Sequence, residues 1–120
     1  VYGDTDSVFV HFKRSFIDPE GKMTDEELIA ESHKVGESMA AEVTKIFLPP
    51  NDLEYEKTYY PFLLLKKKRY AGEKHEPGHK SKVHVRGLES VRRDYAPLCV
   101  EVQKKYWVSY WIELWKKRNE

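Results

Sequence analysis

Asp4 and Asp6 stand one residue apart near the start of the chain, and paired carboxylates of this kind can hold a divalent cation. Residues i and i+2 of an extended strand point to the same side, and Mg²⁺ typically binds through one or two carboxylates plus substrate phosphates. The pair also fits a plain turn, because aspartate tolerates turn geometry and bonds its own backbone. A calcium loop of the EF-hand type is excluded, since Val8 and Phe9 occupy positions that need a ligand and glycine.

Three later groups of charged residues are also spaced for chemistry. Glu54 and Glu56 form a second same-face carboxylate pair, or the solvent side of an edge strand. The run Lys66–Tyr70 suits a sugar-phosphate backbone, or a strand end kept soluble by lysine. Within Arg92–Asp94 we expect an ion pair that fixes a junction, with one arginine left for phosphate.

A zinc site is not expected. His75, His79, His84 and Cys99 match none of the usual spacings of zinc ligands. One cysteine also excludes an internal disulfide framework and fits a reducing compartment. No Gly-rich phosphate loop and no Ser-His-Asp arrangement is evident.

The elements that must position these residues belong to one globular domain or less. The chain has 120 residues, 40% hydrophobic and 34% charged, and we expect it to be a piece of a longer protein, since it begins without Met. No apolar run approaches the roughly 20 residues of a membrane span, so no membrane partner is expected. Residues 1–65 carry a net charge of −7 and residues 66–93 a net charge of +7. The acidic part would suit cations and the basic part a phosphate backbone. Alternatively, both are solvated surfaces without a ligand.

The periodicity of the sequence predicts an α+β fold, an antiparallel sheet with a covering helix. A hairpin spans Tyr2–Phe12, with the aspartates at or near its turn. Thr24 and Glu27 form a capping box, which predicts a helix from about residue 25 that Pro49-Pro50 stops.

The second half of the chain predicts a hairpin over residues 62–88 and a helix over 98–117. The hairpin's strands are separated by a polar loop from Gly72 to Lys82. The helix carries a wide band of aromatic and apolar residues. A band this wide indicates a surface that packs against a partner. Alternatively, its rings form a surface on which bases stack.

Four segments resemble family B DNA polymerases, above all the delta-type replicative enzymes of eukaryotes and their relatives in large DNA viruses. They occur in the family's order. They are motif C at residues 2–7, the strand pair after it at 53–57 and 60–64, the Lys-Lys-Arg-Tyr motif at 67–72, and the palm-to-thumb junction at 86–94 with Pro97-Leu98.

The resemblance implies an antiparallel palm-type sheet and two-metal nucleotidyl transfer from a dNTP to a primer 3′-hydroxyl, with two Mg²⁺ ions in the intact enzyme. Asp6 would bind both metals, and Asp4 would be its companion carboxylate. Gly3 and Thr5 would lie against the primer's 3′ end. Outer carboxylates near the metals would be supplied by Glu54 and Glu56.

For DNA, the resemblance implies contacts to the new duplex from Lys67, Lys68, Arg69 and Tyr70, and bracing of the junction or primer by Arg92 and Arg93. Residues 1–96 would belong to the palm and 97–120 would begin the thumb. The partners would be primer–template DNA, a dNTP and the rest of the polymerase chain, which comprises upstream palm, fingers, exonuclease and remaining thumb. The location would be intracellular, in the nucleus or the host compartment of viral replication.

The resemblance also implies parts that these 120 residues lack. The family's other catalytic aspartate, its fingers motif and its exonuclease domain lie elsewhere, so the isolated chain is expected to be inactive. Two other interpretations stay open. The chain could be a non-catalytic nucleic-acid-binding module with a palm-like surface, or a partner-binding domain that uses its aromatic helix.

Overall fold

The computed structural model describes residues 1–88 and 91–119, which form an α+β structure. In chain order the elements are β1 (Tyr2–Asp4), β2 (Ser7–Phe9), α1 (Arg14–Ile17), α2 (Asp25–Thr44), β3 (Thr58–Lys66), β4 (Arg69–His75), β5 (Lys82–Arg86), α3 (Pro97–Val102), a π-helical segment (Gln103–Val108) and α4 (Ser109–Asn119). Antiparallel sheets with helices packed on them confirm the predicted fold class.

The first hairpin pairs β1 with β2 and is shorter than the sequence predicted. Its register joins Tyr2 to Phe9 and Asp4 to Ser7, so the strand ends well before Phe12. The turn consists of Thr5 and Asp6, as expected from the position of the aspartates. The prediction that both aspartates lie on one side of an extended strand is wrong, because Asp6 belongs to the turn.

The three strands β3, β4 and β5 form a separate antiparallel sheet in sequential order. The predicted single hairpin over residues 62–88 is wrong, since the chain turns already at Lys67 and Lys68 and returns as β4. Gly72, expected in a loop, lies in this central strand. A Cβ there would come 2.7 Å from the carbonyl oxygen of Pro61, so the close approach of β3 requires glycine.

One face of this sheet is covered by α4. Ala71 and Leu88 are fully buried and form the core with Ile112, which is 5% exposed. Trp115 packs edge-on against Tyr60, with ring centroids 4.9 Å apart. The burial of this apolar surface holds the C-terminal helix on the sheet.

An ion pair joins the same two elements. Lys116 Nζ lies 2.6 Å from Glu73 Oε2, at the centre of the sheet face. Burial favours the neutral carboxyl of Glu73, but hydrogen bonds from Lys116 and Ser81 outweigh it and lower the pKa of Glu73.

The predicted C-terminal helix is continuous from Pro97 to Asn119, with the π-helical segment in its middle. The sheet covers only one side of its apolar band. The side chain of Trp107 lies outside the described residues, and an exposed stripe remains at Leu98, Val102, Tyr106, Tyr110 and Leu114.

The long helix α2 begins where the capping box predicted. Thr24 Oγ1 accepts from the Glu27 amide at 3.4 Å, and the Glu27 carboxylate accepts from the Thr24 amide at 2.9 Å. The helix ends at Thr44, before the proline pair. The Thr44 hydroxyl oxygen accepts from the Leu53 amide at 2.9 Å, which turns the chain towards the sheet early.

Contact between α2 and the chain entering β3 is made by His33 and Tyr55, whose side chains hydrogen-bond to each other. Gly36 lies directly under the Tyr55 ring, where a Cβ would overlap it. The helix therefore flanks the edge strand β3, whereas the sequence predicted that it covers a face of the sheet, the position that α4 occupies. No helix in residues 1–88 and 91–119 is both long and apolar enough to cross a membrane.

Replacement of Thr24 by alanine tests the cap. It removes the acceptor for the Glu27 amide, and because that bond is long we expect a loss of about 0.5–1 kcal/mol, the low end for such caps. Urea unfolding followed by circular dichroism measures the loss. Thr24→Ser keeps the hydroxyl and should unfold like the unaltered chain. Equal stability of all three chains would contradict the role of the cap.

Candidate functional site

The turn of the first hairpin presents the two aspartates differently. Asp4 is half-buried at the end of β1, while Asp6 is exposed in the turn. Thr5 between them has φ 35°, a left-handed conformation that strains a β-branched residue. Its hydroxyl donates to Asp4 Oδ1 at 3.2 Å.

The Tyr2 hydroxyl links this turn to the second one. It accepts from the backbone amide of Lys68 at 2.8 Å and donates to Asp4 Oδ2 at 3.3 Å. Lys68 Nζ lies 3.8 Å from Asp4 Oδ1. The acidic turn and the basic turn, which are 66 residues apart between Tyr2 and Lys68, therefore form one continuous surface.

Beneath this surface lies a cluster of aromatic rings, which we call the aromatic bed. Phe9 is at its centre and lies 5.3–5.9 Å, between ring centroids, from each of its neighbours. The bed consists of Tyr2, Phe9, Tyr59, Phe62, Tyr70 and His84. Ring pairs at these separations contribute about 0.5–1.5 kcal/mol each beyond area burial, so the bed anchors the hairpin on the three-stranded sheet.

The basic turn has Lys67 and Lys68 at its apex, both exposed, with Arg69 half-buried at the start of β4. Lys68 has φ 61°, and Gly87 with φ 65° lies beneath it. A Cβ on Gly87 would overlap the carbonyl oxygen of Lys68. Only glycine lets the end of β5 approach the turn so closely.

Tyr70, predicted to contact DNA, places its ring in the aromatic bed, 6.1 Å from Tyr2. Its neighbour Tyr59 has its pKa raised, first by burial and then by the nearby Tyr70 hydroxyl. The Tyr59 phenol therefore stays neutral at neutral pH and serves as a packing and hydrogen-bonding group. A direct DNA contact by Tyr70 stays a prediction.

Glu54 and Glu56 lie in the irregular segment before β3, not in a strand. They are exposed and alternate with half-buried Leu53 and Tyr55, and their same-face arrangement stays a prediction. Glu56 also pairs with Lys57, at 2.6 Å.

Across residues 1–88 and 91–119, no three His, Cys, Asp or Glu side chains are grouped so that they could hold a metal ion. The structure therefore does not gather Asp4, Asp6, Glu54 and Glu56 into one ligand set. Their roles as metal ligands stay predictions.

The donors at the hairpin turn themselves fit a hard cation. Asp4 and Asp6 offer carboxylate oxygens, the ligands that Mg²⁺ prefers, and no soft ligand is among the residues of the turn. The two hydrogen bonds that the Asp4 carboxylate accepts come from neutral hydroxyls, which orient it.

The junction contains the predicted ion pair. Arg92 donates to both oxygens of Asp94, at 2.9 and 3.0 Å, and this hydrogen bonding lowers the pKa of the Asp94 carboxyl. Arg93 is exposed next to it. Glu89 and Ser90, which are part of the junction motif, lie outside the described residues.

Sequence reasoning missed two features of this surface. The bridging role of the Tyr2 hydroxyl gave no local signal, because its partner amide belongs to Lys68. The sequence suggests His84 only as a rejected zinc ligand and Arg86 only as the start of the junction motif, although both lie in β5, directly before the glycine beneath the basic turn. The register of β5 against β4 was needed to place them.

Comparison with known proteins agrees with these observations. The family model for DNA polymerase family B matches residues 1–119. A DNA polymerase of Paramecium bursaria Chlorella virus NY2A is 47% identical over 106 residues, 88% of this chain and 11% of the relative. The DNA polymerase delta catalytic subunit of Caenorhabditis elegans is 45% identical over 103 residues, 85% of this chain and 8% of that protein. The chain thus spans about a tenth of these relatives, and it belongs to DNA polymerase family B.

Proposed function

We propose that this chain is the part of a DNA-directed DNA polymerase that carries one side of the nucleotidyl-transfer site. The observation that supports this most is the hydrogen bonding of the Tyr2 hydroxyl, which holds the aspartate turn against the basic turn. An acidic turn suits divalent cations, which bind carboxylates together with the phosphates of a substrate. A basic turn beside it suits the backbone of the duplex on which synthesis takes place.

In this proposal Asp4 and Asp6 hold divalent cations at the primer terminus, and Gly3 and Thr5 lie against the primer's 3′ end. Two Mg²⁺ ions, when bound, lower the cost of ionising the 3′-hydroxyl and neutralise the leaving pyrophosphate. The protein's part is positioning, which phosphoryl transfer depends on more than on covalent help. Thr5 and Tyr2 orient the Asp4 carboxylate by hydrogen bonds from each side.

The remaining assignments follow the same surface. Lys67, Lys68 and Arg69 contact the duplex backbone, Tyr70 supports them, and Arg93 lies beside the primer while Arg92 braces the junction. Glu54 and Glu56 act as outer carboxylates. Residues 1–96 belong to the palm and residues 97–120 begin the thumb, which fits the helix that starts at Pro97.

The substrates proposed from the relatives' names are primer–template DNA and dNTPs, and the partners within the enzyme are the other parts of its chain. The relatives are a viral polymerase and eukaryotic delta catalytic subunits. The proposed location is accordingly the nucleus or the compartment of viral replication in the host cell.

Replacing Asp6 in the complete polymerase that carries this segment tests the catalytic role. Asp6→Asn should lower primer extension by at least about 10²–10³-fold, the loss typical when one electrostatic group at a transition state is removed. Duplex binding should be unchanged, because Asp6 lies in the acidic turn. Asp52→Asn removes an exposed carboxylate before β3 and should leave extension intact. Full extension by the Asp6 variant would contradict the role and favour a non-catalytic nucleic-acid-binding module.

Metal binding can be measured without activity. In the 120-residue chain, Mn²⁺ should broaden the amide signals of Gly3–Ser7 in a ¹H–¹⁵N spectrum, because the ion binds at the aspartate turn. Asp6→Asn should weaken the broadening. Broadening confined to other acidic segments, such as the start of α2, would show that the turn is not the cation site.

The isolated chain should not extend a primer. Incubation with primer–template, dNTPs and Mg²⁺ or Mn²⁺ is expected to give no incorporation, since the family's other catalytic aspartate and its fingers motif are missing. Extended product from purified chain, absent from its Asp6→Asn variant, would overturn this expectation.

The basic turn should account for much of the chain's salt-sensitive affinity for duplex DNA. Replacement of Lys67, Lys68 and Arg69 by glutamine should lower the slope of log Kobs against log salt by about 2–3, because each phosphate contact contributes about 0.9. Fluorescence anisotropy with a labelled duplex measures the slope.

A matched control removes three exposed lysines on the acidic part of the chain, each paired with a glutamate: Lys22, Lys34 and Lys45. This triple glutamine variant changes the net charge as much and should leave the slope nearly unaltered. Equal effects of the two triple variants would mean that net charge alone determines binding.

A further inference from the structure

Arg86 lies next to the basic turn without having been assigned a role. It ends β5, is exposed, and stands opposite Tyr70 of β4 in the register of the sheet. The following residue, Gly87, lies beneath the carbonyl of Lys68. Arg86 therefore lies on the same surface as Lys67 and Lys68 at the apex of the basic turn.

A histidine holds this arginine. The Nε–H of Arg86 points at Nε2 of His84, 3.1 Å away. Because a guanidinium can only donate, Nε2 must accept, and the proton of the neutral ring is assigned to Nδ1. Nδ1 then donates to the Tyr59 hydroxyl, which is its other partner.

The His84 ring is itself fixed by the aromatic bed. It stacks on Tyr59 with centroids 5.8 Å apart and an angle of 8°, and meets the edge of Tyr70 at 6.4 Å. Hydrogen bonds at both nitrogens and packing on both neighbours leave the ring one orientation. Its orientation in turn sets that of the Arg86 guanidinium.

The charges around His84 keep it in this state. Burial first, then the positive charge of Arg86, lowers the pKa of His84, and Lys57 and Lys74 act in the same direction. Glu56 opposes them. The ring is therefore neutral at pH 7 and continues to accept from Arg86.

The bond to His84 leaves the guanidinium suited to an anion. It uses only Nε–H, and four N–H donors remain on the two Nη atoms. Among the described residues the recorded partner of Arg86 is this neutral ring and not a carboxylate, so its positive charge is not neutralised there. A planar, oriented guanidinium is the group best matched to bidentate phosphate binding.

We propose that Arg86 binds a backbone phosphate of the nucleic acid, and that His84 is a positioning residue which orients the Arg86 guanidinium for this contact. The inference rests on the proposed function and extends the basic turn along the edge strand β5. It also gives a function to the His84 nitrogens and the Tyr59 hydroxyl of the aromatic bed, polar groups that ring packing alone does not require.

Arg86→Gln in the 120-residue chain tests the phosphate contact by anisotropy with a labelled primer–template duplex. The slope of log Kobs against log salt should fall by about 1, as for one lost phosphate contact. Lys82→Gln is the matched control, because Lys82 is an exposed cation at the other end of the same strand. Its slope should stay that of the unaltered chain.

His84 is tested by two replacements and a double variant. His84→Phe keeps a ring on Tyr59 but removes both nitrogens, and should weaken duplex binding severalfold although no cation is lost. His84→Gln restores an acceptor for Arg86 and should recover most of the affinity. In the Arg86→Gln background, His84→Phe should have little further effect, since residues that act together are non-additive.

The outcomes separate this inference from the proposed function. Salt-sensitive binding that Arg86→Gln and Lys82→Gln alter equally would overturn the role of Arg86 and leave the basic turn intact. Additive losses in the double variant, or no recovery with glutamine at position 84, would show that His84 only supports the fold. Absence of any duplex binding by the unaltered chain would overturn both proposals. Thermal melts confirm that each variant is folded, and the exposed position of Arg86 keeps the test valid if His84→Phe unfolds.

Discussion

The site depends on how a very small hairpin is held in place. The pairing of β1 with β2 involves three residues in each strand, and an isolated two-stranded hairpin is marginally stable at best in water. Its position must therefore come from the sheet beside it. The Tyr2 hydroxyl orients the hairpin through its hydrogen bonds to the Lys68 amide and Asp4. Phe9 holds the hairpin on the sheet by packing in the aromatic bed. Without both, the aspartates would be attached to a flexible turn.

The three-stranded sheet that supports the hairpin is itself held by packing on its opposite face. Ala71 and Gly72 are neighbours in β4, and their side-chain positions face opposite sides of the sheet. Ala71 is buried with Ile112 of α4, while the absence of a side chain at Gly72 lets β3 and its aromatic rings approach. The central strand thus carries small residues where it is covered most closely. The aromatic bed and the C-terminal helix consequently pack against opposite faces of β4.

The sequence predicts features that depend on residues close together in the chain better than features that depend on distant residues. Thr24 and Glu27 bond each other's backbone, so the start of α2 was predictable, as was the turn at Thr5 and Asp6. The end of α2 was not, because the Thr44 hydroxyl binds the amide of Leu53 outside the helix. The sequence predicts a loop from Gly72 onward, since glycine and charged residues are rare in strands, and the close approach of Pro61 that requires glycine at position 72 is visible only in the fold. Family motifs placed Asp4 and Lys68 near the same chemistry, but not the hydroxyl that joins them.

The choice of a tyrosine as the bridge has a consequence for charge. A lysine ammonium in direct contact with Asp4 would position the carboxylate equally well, but it would neutralise it and compete with any cation. Lys68 Nζ instead remains 3.8 Å away, and the nearer donors are the neutral hydroxyls of Tyr2 and Thr5. The ammonium is exposed and Asp4 is half-buried, so salt in the solvent screens the attraction between the two charges. In the proposed function, neutral hydrogen bonds thereby orient Asp4 towards a metal ion, and Lys68 is left to contact the nucleic acid.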